Sequence, residues 1–543
     1  MKSHFAADTG AAPGARRIHE WLKSQMADGS LAVGARLPST RALALDLGVS
    51  RTTITAAYEQ LAAEGYLETA QGARARVAAG AEQRSRAPRI AAAAQDCRSR
   101  LSSYGRRVDA LAQAQPARAG DEGPAVIDFL YGALAFDDFP TLAWRRAYNR
   151  AIVQRQSSLS YDAPEGEPAL RMALQGYLRR ARGLVCSADQ IVVVQGSQQA
   201  IDLCARVLVD PGETVLMEEP CYLMARRVFE AQGACLQEMA VDEQGLDTSA
   251  LVGRQARLAY VTPSHQFPLG GVLPIGRRQQ LLAWARATGA WILEDDYDGE
   301  FRYGLRPIDA LQSIDEVGCV IHVGTFSKAL SPQMRMGYLV LPPSLVPVFR
   351  EARRLADRHA PRLDQLVLAA LIEDGSYERH VRAVRRRNEG RRAALLQALE
   401  RHLPGAVQVE GSASGLHVVA WVPAVHQRDE IALVRLARER GVGVRPISPL
   451  YAAGDAHRRQ SCAGLVLGYA SLQPQAIEQG VLRLAGVVSQ WQTQSATQKK
   501  PVTGVPVHGP WVPTPLKALC PARSYCCLTA SMDITRRTCL GKP

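Results

Sequence analysis

The stretch GTFSKALSPQMR, residues 324–335, decides the fold that is expected for this chain of 543 residues. It follows an apolar, β-branched run and places Lys328 between hydroxyl residues, with Arg335 seven positions further on. A lysine amine can form a Schiff base with an aldehyde, and hydroxyl groups together with an arginine can hold a phosphate. Pyridoxal 5'-phosphate (PLP) carries both an aldehyde and a phosphate, so its binding site needs all of these groups. Lys328, whose pKa burial would lower, is the candidate amine, and Thr325, Ser327 and Arg335 are the candidate phosphate ligands. Taken alone, the stretch is also compatible with a lysine on the protein surface.

A second stretch, EDDYD at residues 294–298, lies upstream and directly follows the apolar run 291–293. A carboxylate at the end of a strand can pair with a pyridinium nitrogen and keep the PLP ring protonated. Asp295 is the candidate for this role, with Asp296 as its rival, and Tyr297 could donate a hydrogen bond to the phenolic oxygen of the ring. An acidic loop that binds Mg²⁺, or nothing, is the alternative.

Three further segments carry groups that could surround the same ring. A glycine-containing turn from strand to helix precedes Ser197 and Gln198, whose exposed N–H groups at a helix start suit a phosphate. Tyr222 could stack on the pyridine ring, or it could be an ordinary core tyrosine. A loop after a later strand could bring His265 or Gln266 near the ring oxygen.

The pattern around these segments predicts an α/β domain. Short apolar runs alternate with helical segments, which favours a mostly parallel sheet that helices cover on both faces. After residue 345 the pattern becomes helical, then mixed, and it ends in an amphipathic helix near 476–490. The predicted strands are 190–194, 214–217, 258–261, 291–293, 319–323 and 337–340.

The N-terminal segment has a different pattern, which predicts a helix-turn-helix. Apolar residues recur at helical spacing in 17–26, and two further helices, 40–47 and 51–64, flank a turn at Gly48. A short hairpin at 65–77 would follow as a wing that enters the minor groove. A helical protein-interaction domain is the alternative. The residues expected to face inward from the last helix are Ile54, Ala57, Tyr58 and Leu61.

Three runs in this segment, LPSTRALA from residue 37, GVSRTT from 48 and LAAEGYL from 61, resemble the GntR family of winged-helix regulators. The guanidinium of Arg51 suits guanine or phosphate. The wing reads GARARV at 72–77 where many members have Gly-x-Gly-Thr-x-Val, so Arg74 or Arg76 is expected to contact phosphate instead. The resemblance implies DNA contacts at Arg41, Ser50, Arg51, Thr52, Thr53 and Gly72.

The PLP-type motifs, in this order and spacing, resemble fold-type-I aminotransferases and specifically the MocR subfamily of GntR regulators, from about residue 15 to 490. The resemblance implies a Schiff base at Lys328, Asp295 on the pyridine nitrogen, Tyr297 on the ring oxygen and Arg335 on the phosphate. It also implies a homodimer in which Tyr161 reaches the phosphate of the neighbouring subunit, and a smaller C-terminal α+β subdomain. The runs that carry it are SYDAPEG at 160–166, GSQQA at 196–200, TPSHQFPLG at 262–270, EDDYD at 294–298 and GTFSK at 324–328.

Two departures concern the substrate. Aminotransferases carry an arginine near the end of the fold that clamps the α-carboxylate of the substrate, but the matching run LVLGYA at 465–470 contains none. Arg445 is the alternative clamp. Met224 and Ala225 follow Tyr222, so no second basic residue is available there. The sequence therefore does not predict an efficient binding site for an amino-acid substrate.

The formal net charge is +13, and the excess lies at the two ends of the chain. Residues 1–90 carry +4 and residues 494–543 carry +6, whereas residues 126–493 carry only +2. This distribution suits a polyanion-binding end joined to a nearly neutral core, with a merely solvated basic surface as the alternative.

The eleven cysteines lack metal-ligand spacing, so thiols and no metal site are expected. No apolar run reaches the ~18–20 residues that span a bilayer, and residues 1–17 lack the apolar core of a secretion signal. A cytoplasmic protein is expected. Four of the cysteines crowd the tail: Cys520, Cys526, Cys527 and Cys539.

These observations predict a PLP-dependent, DNA-binding transcriptional regulator, which senses PLP itself or an amine or amino acid and controls vitamin B6 or amino-acid metabolism genes. A genuine aminotransferase with an accessory DNA-binding domain is the first alternative, and a DNA-binding scaffold with an inactive PLP site is the second. The predicted organisation is a winged helix-turn-helix at 1–78, a linker with a short helix near 102–111 at 79–125, a PLP domain at 126–493 and a disordered tail at 494–543.

Overall fold

The computed structural model of the chain describes residues 13–70, 73–81, 98–114, 126–153, 160–304, 308–452 and 461–498. Three subjects of the sequence analysis lie outside these ranges: Gly72 in the wing, residues 82–97 and 115–125 of the predicted linker, and the tail from residue 499 onward with its four cysteines. Within the described ranges, no helix has both the length and the apolar character needed to cross a bilayer.

The N-terminal part, the head, consists of three helices followed by a short antiparallel hairpin. In the hairpin Leu67 lies opposite Val77. This arrangement confirms the predicted winged helix-turn-helix. Its elements are α1 (Ala15–Ala27), α2 (Thr40–Leu47), α3 (Arg51–Ala63), β1 (Leu67–Glu68) and β2 (Arg76–Val77).

Capping residues between the helices set the geometry of the head. The side chain of Ser39 accepts a hydrogen bond from the backbone N–H of Ala42 at 3.2 Å, and Ser50 accepts one from Thr53 at 3.1 Å. Each serine thereby satisfies an N–H that has no partner inside its helix. Gly48 ends α2 with a φ of 65°, a left-handed conformation that glycine adopts at little cost. The buried face of α3 consists of the predicted residues Ile54, Ala57, Tyr58 and Leu61.

The large domain is built on an eight-stranded sheet, whose elements are β4 (Ile191–Val194), β5 (Thr214–Glu219), β6 (Cys235–Asp242), β7 (Gly245–Leu246), β8 (Leu258–Val261), β9 (Trp291–Asp296), β10 (Val320–Thr325) and β11 (Gly337–Val340). Their order is β4-β11-β10-β9-β8-β5-β6-β7. The pairings from β10 through β9, β8 and β5 to β6 are parallel, and those at both edges are antiparallel. The prediction of a mostly parallel α/β sheet is therefore confirmed, with antiparallel edges that the sequence pattern did not indicate.

Helices cover both faces of this sheet. Alternation along β4 shows the division: Ile191 and Val193 pack with one hydrophobic cluster, and Val192 and Val194 pack with another on the opposite face. The helices of this domain are α5 (Thr141–Ile152), α6 (Pro168–Arg182), α7 (Ser197–Leu208), α8 (Leu223–Gln232), α9 (Ile275–Thr288), α10 (Val346–Asp357) and α11 (Arg362–Glu373).

A smaller α+β subdomain follows, as the family resemblance implied. Its antiparallel sheet has the order β12-β13-β16-β15. The strand pair β14 and β3 is parallel and joins the start of the large domain to this subdomain. The elements are β3 (Ile127–Asp128), α12 (Ser376–His402), β12 (Gln408–Glu410), β13 (His417–His426), α13 (Glu430–Glu439), β14 (Val442–Gly443), β15 (Arg445–Pro446), β16 (Cys462–Gly468) and α14 (Pro474–Gln498).

One helix of the segment between head and large domain is also described, α4 (Ser103–Gln113), which confirms the predicted linker helix. Its Arg107 donates hydrogen bonds to the backbone oxygens of Ala231 and Gln232, at 2.7 and 2.9 Å, where α8 ends. Part of the predicted linker is therefore held against the large domain. Short 3₁₀ helices complete the fold at Phe136–Asp138, Ala188–Gln190, Thr248–Leu251, Leu311–Ile314, Pro332–Met334, Pro343–Leu345, Gln427–Asp429 and Ser448–Leu450.

The structure corrects two sequence boundaries. Strands β5 and β9 extend beyond the predicted 214–217 and 291–293, through Glu219 and Asp296, so their acidic residues lie inside the sheet and not after it. Helix α14 continues to Gln498, so the first residues of the segment 494–543 are helical where disorder was expected.

Candidate cofactor site and nucleic-acid interface

A cavity of about 240 Å³ lies where the central strands end. Nine of the side chains that the sequence analysis assigned to a cofactor line it, although they come from distant parts of the chain. They are Ser197, Gln198, Tyr222, Asp295, Tyr297, Thr325, Ser327, Lys328 and Arg335.

Asp295, near the end of β9, presents a buried carboxylate with one oxygen bonded and one available. Its Oδ2 accepts a hydrogen bond from the hydroxyl of Tyr260 at 2.6 Å, and its buried Oδ1 has no partner among the described residues. Burial raises the pKa of Asp295 to about 6. An unpartnered buried acceptor that lines the cavity fits a protonated pyridine nitrogen. The rival, Asp296, is bound to Arg182 at 2.7 Å and does not line the cavity, so the geometry favours Asp295.

Lys328 follows β10 and presents its amine to the same cavity. Burial lowers the pKa of Lys328, while the carboxylates of Asp298 and Asp295 oppose that shift. A Cβ at Gly132 would come within 2.9 Å of the lysine Nζ, so glycine at that position leaves room for the amine. A buried lysine with a lowered pKa has a larger neutral, nucleophilic fraction at neutral pH.

A cradle suited to phosphate forms at the start of α7. Arg335, whose φ is 48°, donates a hydrogen bond from Nη2 to the backbone oxygen of Gln195 at 3.1 Å. Its guanidinium lies against Gly196, where a Cβ would come within 2.8 Å of Nη2. The hydroxyl of Thr325 donates to that of Ser327 at 3.0 Å beside it. A helix start, an arginine and two hydroxyls together form an anion site.

Tyr297 is connected to a buried polar pair, His265 and Asp298, of which Asp298 lines the cavity. Its hydroxyl lies 2.8 Å from Nδ1 of His265, and the same nitrogen lies 2.9 Å from Oδ2 of Asp298. His265 therefore reaches the cavity through Tyr297 and does not line it. Gln266, its alternative, donates to the backbone oxygens of Pro220 and Phe267 and also does not line the cavity. The expectation that one of them lies near the ring oxygen stays a prediction, and the structure connects His265 to the cavity through Tyr297 and Asp298.

Two other expected residues lie outside this cavity. Tyr161 is 73% exposed and packs against Arg358, with 4.9 Å from the guanidinium carbon to the ring centre. Arg445 donates to Asp128 at 2.9 Å and is half-buried. Neither side chain lines the cavity of its own chain.

Sequence reasoning missed about half of the lining. Asp298 ended the EDDYD stretch, and Tyr260 lay in a predicted strand, so both had a local signal that received no role. Thr262, Phe267 and Pro332 also stand in quoted runs without an assigned role. The remaining four come from segments without a motif: Tyr131, Gly132, Leu416 and His417. Burial lowers the pKa of His417 to about 4, so its imidazole is neutral at neutral pH.

The DNA-contact candidates are at the start of α3 and at the wing. Arg51 and Thr52 are exposed in the first turn of α3, and the hydroxyl of Ser50 lies 2.7 Å from those of Thr52 and Thr53. Arg41 is exposed on α2, and Arg74 is exposed just before β2. Arg76 is exposed as well and bonds the backbone oxygen of Gly34 at 3.4 Å.

Comparison with known proteins matches the two parts of the chain separately. Residues 15–77 match "Bacterial regulatory proteins, gntR family", and residues 124–467 match "Aminotransferase class I and II". A solved structure of LysN, an α-aminoadipate aminotransferase from Thermus thermophilus complexed with N-(5'-phosphopyridoxyl)-L-leucine, is similar at a TM-score of 0.65 and 28% identity. The similar region covers 73% of this chain and 99% of the LysN chain.

Two relatives resemble the chain over nearly its full length. The probable rhizopine catabolism regulatory protein MocR of Rhizobium meliloti is 33% identical over 497 residues, or 90% of this chain and 97% of that protein. The HTH-type pyridoxine biosynthesis transcriptional regulator PdxR of Corynebacterium glutamicum is 28% identical over 473 residues, or 87% and 95%.

A GntR-type winged-helix head and a fold-type-I domain whose cofactor is PLP, joined in one chain, define a class of DNA-binding transcriptional regulators. The chain belongs to the MocR subfamily of this class.

Proposed function

We propose that the large domain senses PLP, or an amine that reacts with it, and that the state of this site biases the DNA affinity of the head. The observation that supports the proposal is that a buried Lys328 and a buried Asp295 line one cavity, in a chain that also carries a winged helix. Only one carboxylate oxygen of Asp295 has a hydrogen-bond partner among the described residues. A ligand can shift an equilibrium between two conformations of the protein only if it binds one of them more tightly than the other.

In this proposal the cavity residues that would hold PLP have different roles. Bound PLP supplies an aldehyde carbon that primary amines attack. Lys328 provides the neutral amine, Asp295 accepts a hydrogen bond from the ring nitrogen, and Tyr297 donates one toward the phenolic oxygen. Tyr222 packs against the ring, and the phosphate is held by the start of α7 and by Thr325, Ser327 and Arg335.

The regulatory step requires two heads at a fixed spacing. In a homodimer, Tyr161 of each subunit would reach the phosphate site of the other, and the two α3 helices would read half-sites on double-stranded DNA. A coupling of ~1–3 kcal/mol between cofactor and DNA sites changes occupancy by roughly 5- to 150-fold. We expect target genes in vitamin B6 or amino-acid metabolism, and action in the cytoplasm, where promoter DNA is accessible.

Amino-acid transamination is the second candidate function. It is favoured by the reactive setting of Lys328 and by the likeness to LysN. Arg335 is the only guanidinium among the described residues of the cavity, and the phosphate occupies it in our proposal, so no clamp for an α-carboxylate remains unless Arg445 leaves Asp128. Steady turnover of an amino acid with a 2-oxo acid would favour this candidate, and its absence would favour sensing.

The experiment that tests the sensing proposal is Lys328→Ala. The wild-type protein should turn yellow with PLP, and PLP or an added amine should change its affinity for its own upstream DNA. The variant should lose the colour and the response, yet still shift the DNA in a gel. An equal response in both proteins would refute the proposal.

A further inference from the structure

Behind the cofactor cavity, on the far side of His265, lies a second and much smaller cavity of about 10 Å³. A cavity of this size has room for about one water molecule. The residues that line it include Ser264, near the start of the loop after β8, and Ser414, just before β13. The two serines and His265 are each at least nine-tenths buried.

Three polar atoms at this cavity have no hydrogen-bond partner among the described residues. They are Oγ of Ser264, Nε2 of His265 and Oγ of Ser414. Leaving a buried polar atom unpaired costs about 1–3 kcal/mol. Because the three atoms lie at one water-sized cavity, a single water molecule there could form a hydrogen bond with each of them. A water molecule can donate to or accept from each of them, since it has two hydrogens and two lone pairs.

The other nitrogen of His265 has a fixed role. Its Nδ1 lies 2.9 Å from a carboxylate oxygen of Asp298, so Nδ1 carries a hydrogen whether the ring is neutral or charged. The hydroxyl oxygen of Tyr297, 2.8 Å from the same Nδ1, can therefore only accept from it. The hydroxyl hydrogen of Tyr297 is then left for one of two acceptors: the carboxylate of Asp298, with which this hydroxyl also shares a hydrogen bond, or a group bound in the cofactor cavity, which Tyr297 lines.

We infer that the small cavity binds one water molecule, held by Ser264 and Ser414, which anchors Nε2 of His265 and thereby orients Tyr297 as a hydrogen-bond donor to the cofactor. Ser264, Ser414 and His265 are positioning residues in this arrangement, because they act on the cofactor through Tyr297. The inference rests on the proposed role of Tyr297 as a PLP ligand, whereas the water itself does not depend on that role.

The water is tested by a crystal structure of the full chain at a resolution that shows ordered solvent, with and without PLP. Density for one water at roughly 2.7–3.2 Å from all three atoms is the expected result. A cavity without density, when comparable buried waters are visible elsewhere, would overturn the inference.

The positioning role is tested by a double-mutant cycle with Ser414→Val, which places methyl groups in the cavity, and Tyr297→Phe. We expect Ser414→Val to weaken PLP binding roughly three- to tenfold in the wild type and to have less than a twofold effect in the Tyr297→Phe background. Ser264→Ala, which adds no bulk, should behave in the same way. Ser313→Ala is the control, since that hydroxyl bonds Ala310 at 2.6 Å away from the cavity.

The outcomes separate the two proposals. If Tyr297→Phe leaves PLP affinity and the absorbance of the bound cofactor unchanged, the proposed site assignment fails. If Tyr297→Phe weakens binding but the serine variants do not, or if they act equally in both backgrounds, the inference alone is overturned.

Discussion

Asp295 links the stability of the cofactor-free protein to pH. Its pKa is raised from 3.8 to about 6 because burial disfavours the charged form. Between these values the folded chain binds more protons at this group than the unfolded chain does, so stability falls as pH rises through that window. The ionised carboxylate therefore destabilises the PLP-free protein by up to about 3 kcal/mol at pH 7.

Asp295→Asn should remove this dependence. Relative to the wild type, the PLP-free variant should gain unfolding free energy from pH 4 to about pH 6, with little further gain up to pH 7, while its PLP affinity at pH 7 falls. Urea melts across this range measure the first effect, and absorbance titrations measure the second. Asp210→Asn, an exposed carboxylate of the same domain, is the control. Parallel pH profiles for wild type and Asp295→Asn would contradict the buried, charged state assigned to Asp295.

Residues of the cofactor site could be read from the sequence only where they form local motifs. Lys328, Arg335 and Asp295 stand in short runs whose residue types match one chemistry, so each could be named in advance. Tyr131 and His417 reach the same cavity from segments that are distant in sequence, and no periodicity marks them. The roles of such residues depend on tertiary packing, which one sequence does not reveal.

At the level of elements, the misplaced ends of β5 and β9 have one physical cause. Carboxylates are rarely buried without partners, so acidic residues after an apolar run favour the end of a strand. Here the partners come from a loop and a helix that are distant in sequence: Glu218 accepts bonds from the N–H and hydroxyl of Thr262, after β8, and Asp296 is bound to Arg182, at the end of α6. These distant partners stabilise the buried carboxylates, and the strands continue.

The turn before α7 carries the next prediction. Gly196 has a φ of 79°, and a Cβ there would meet the guanidinium of Arg335. Gly196→Ala should therefore weaken PLP binding by roughly tenfold or more while leaving the weaker binding of pyridoxal, which has no phosphate, nearly unchanged. Gly212→Ala is a matched control, because its φ is 91° but a Cβ there meets nothing within 4 Å. Equal losses for both ligands would argue against a phosphate cradle.

Helix α4 depends on a contact with the large domain. It has eleven residues and buries none of them, and so short a helix is marginal in water on its own. Arg107 is bonded to the carbonyls that end α8, and a Cβ at Gly233 would fall 2.9 Å from its guanidinium carbon. Since α8 starts directly after Tyr222, this contact joins the linker to an element that borders the cofactor cavity.

Arg107→Ala should release α4. Loss of two hydrogen bonds from a charged donor to a helix C-terminus is worth about 1.5–3 kcal/mol, so amide exchange in 103–113 should become about 10- to 100-fold faster. Gly233→Ala should act similarly. Arg106→Ala is the control, because the side chain of Arg106 bonds only the backbone of Leu101 among the described residues and does not reach the large domain. Unchanged exchange in Arg107→Ala would show that the contact does not hold the helix.

On the scale of the whole molecule, the head and the large domain have separate hydrophobic cores. The head packs around Ile18, Leu22, Ile54 and Leu61, and none of these residues belongs to the clusters of the large domain. Separate cores allow DNA contact and cofactor binding to be altered independently. The proposed regulation must then pass through the linker or the dimer, and not through a shared interior.

This independence makes Arg51→Ala a selective test of the head. Arg51 is exposed in the first turn of α3, where its side chain makes a single long bond among the described residues, 3.4 Å to Thr40, so its removal leaves the core of the head intact. Loss of one arginine contact to a base costs ~1–3 kcal/mol, so affinity for the protein's own operator should fall about 5- to 150-fold. The absorbance spectrum and PLP affinity should not change. Arg16→Ala, on the exposed face of α1, is the control and should leave operator binding nearly intact. A similar loss of operator affinity in Arg51→Ala and Arg16→Ala would show that positive charge alone, and not base reading by α3, determines recognition.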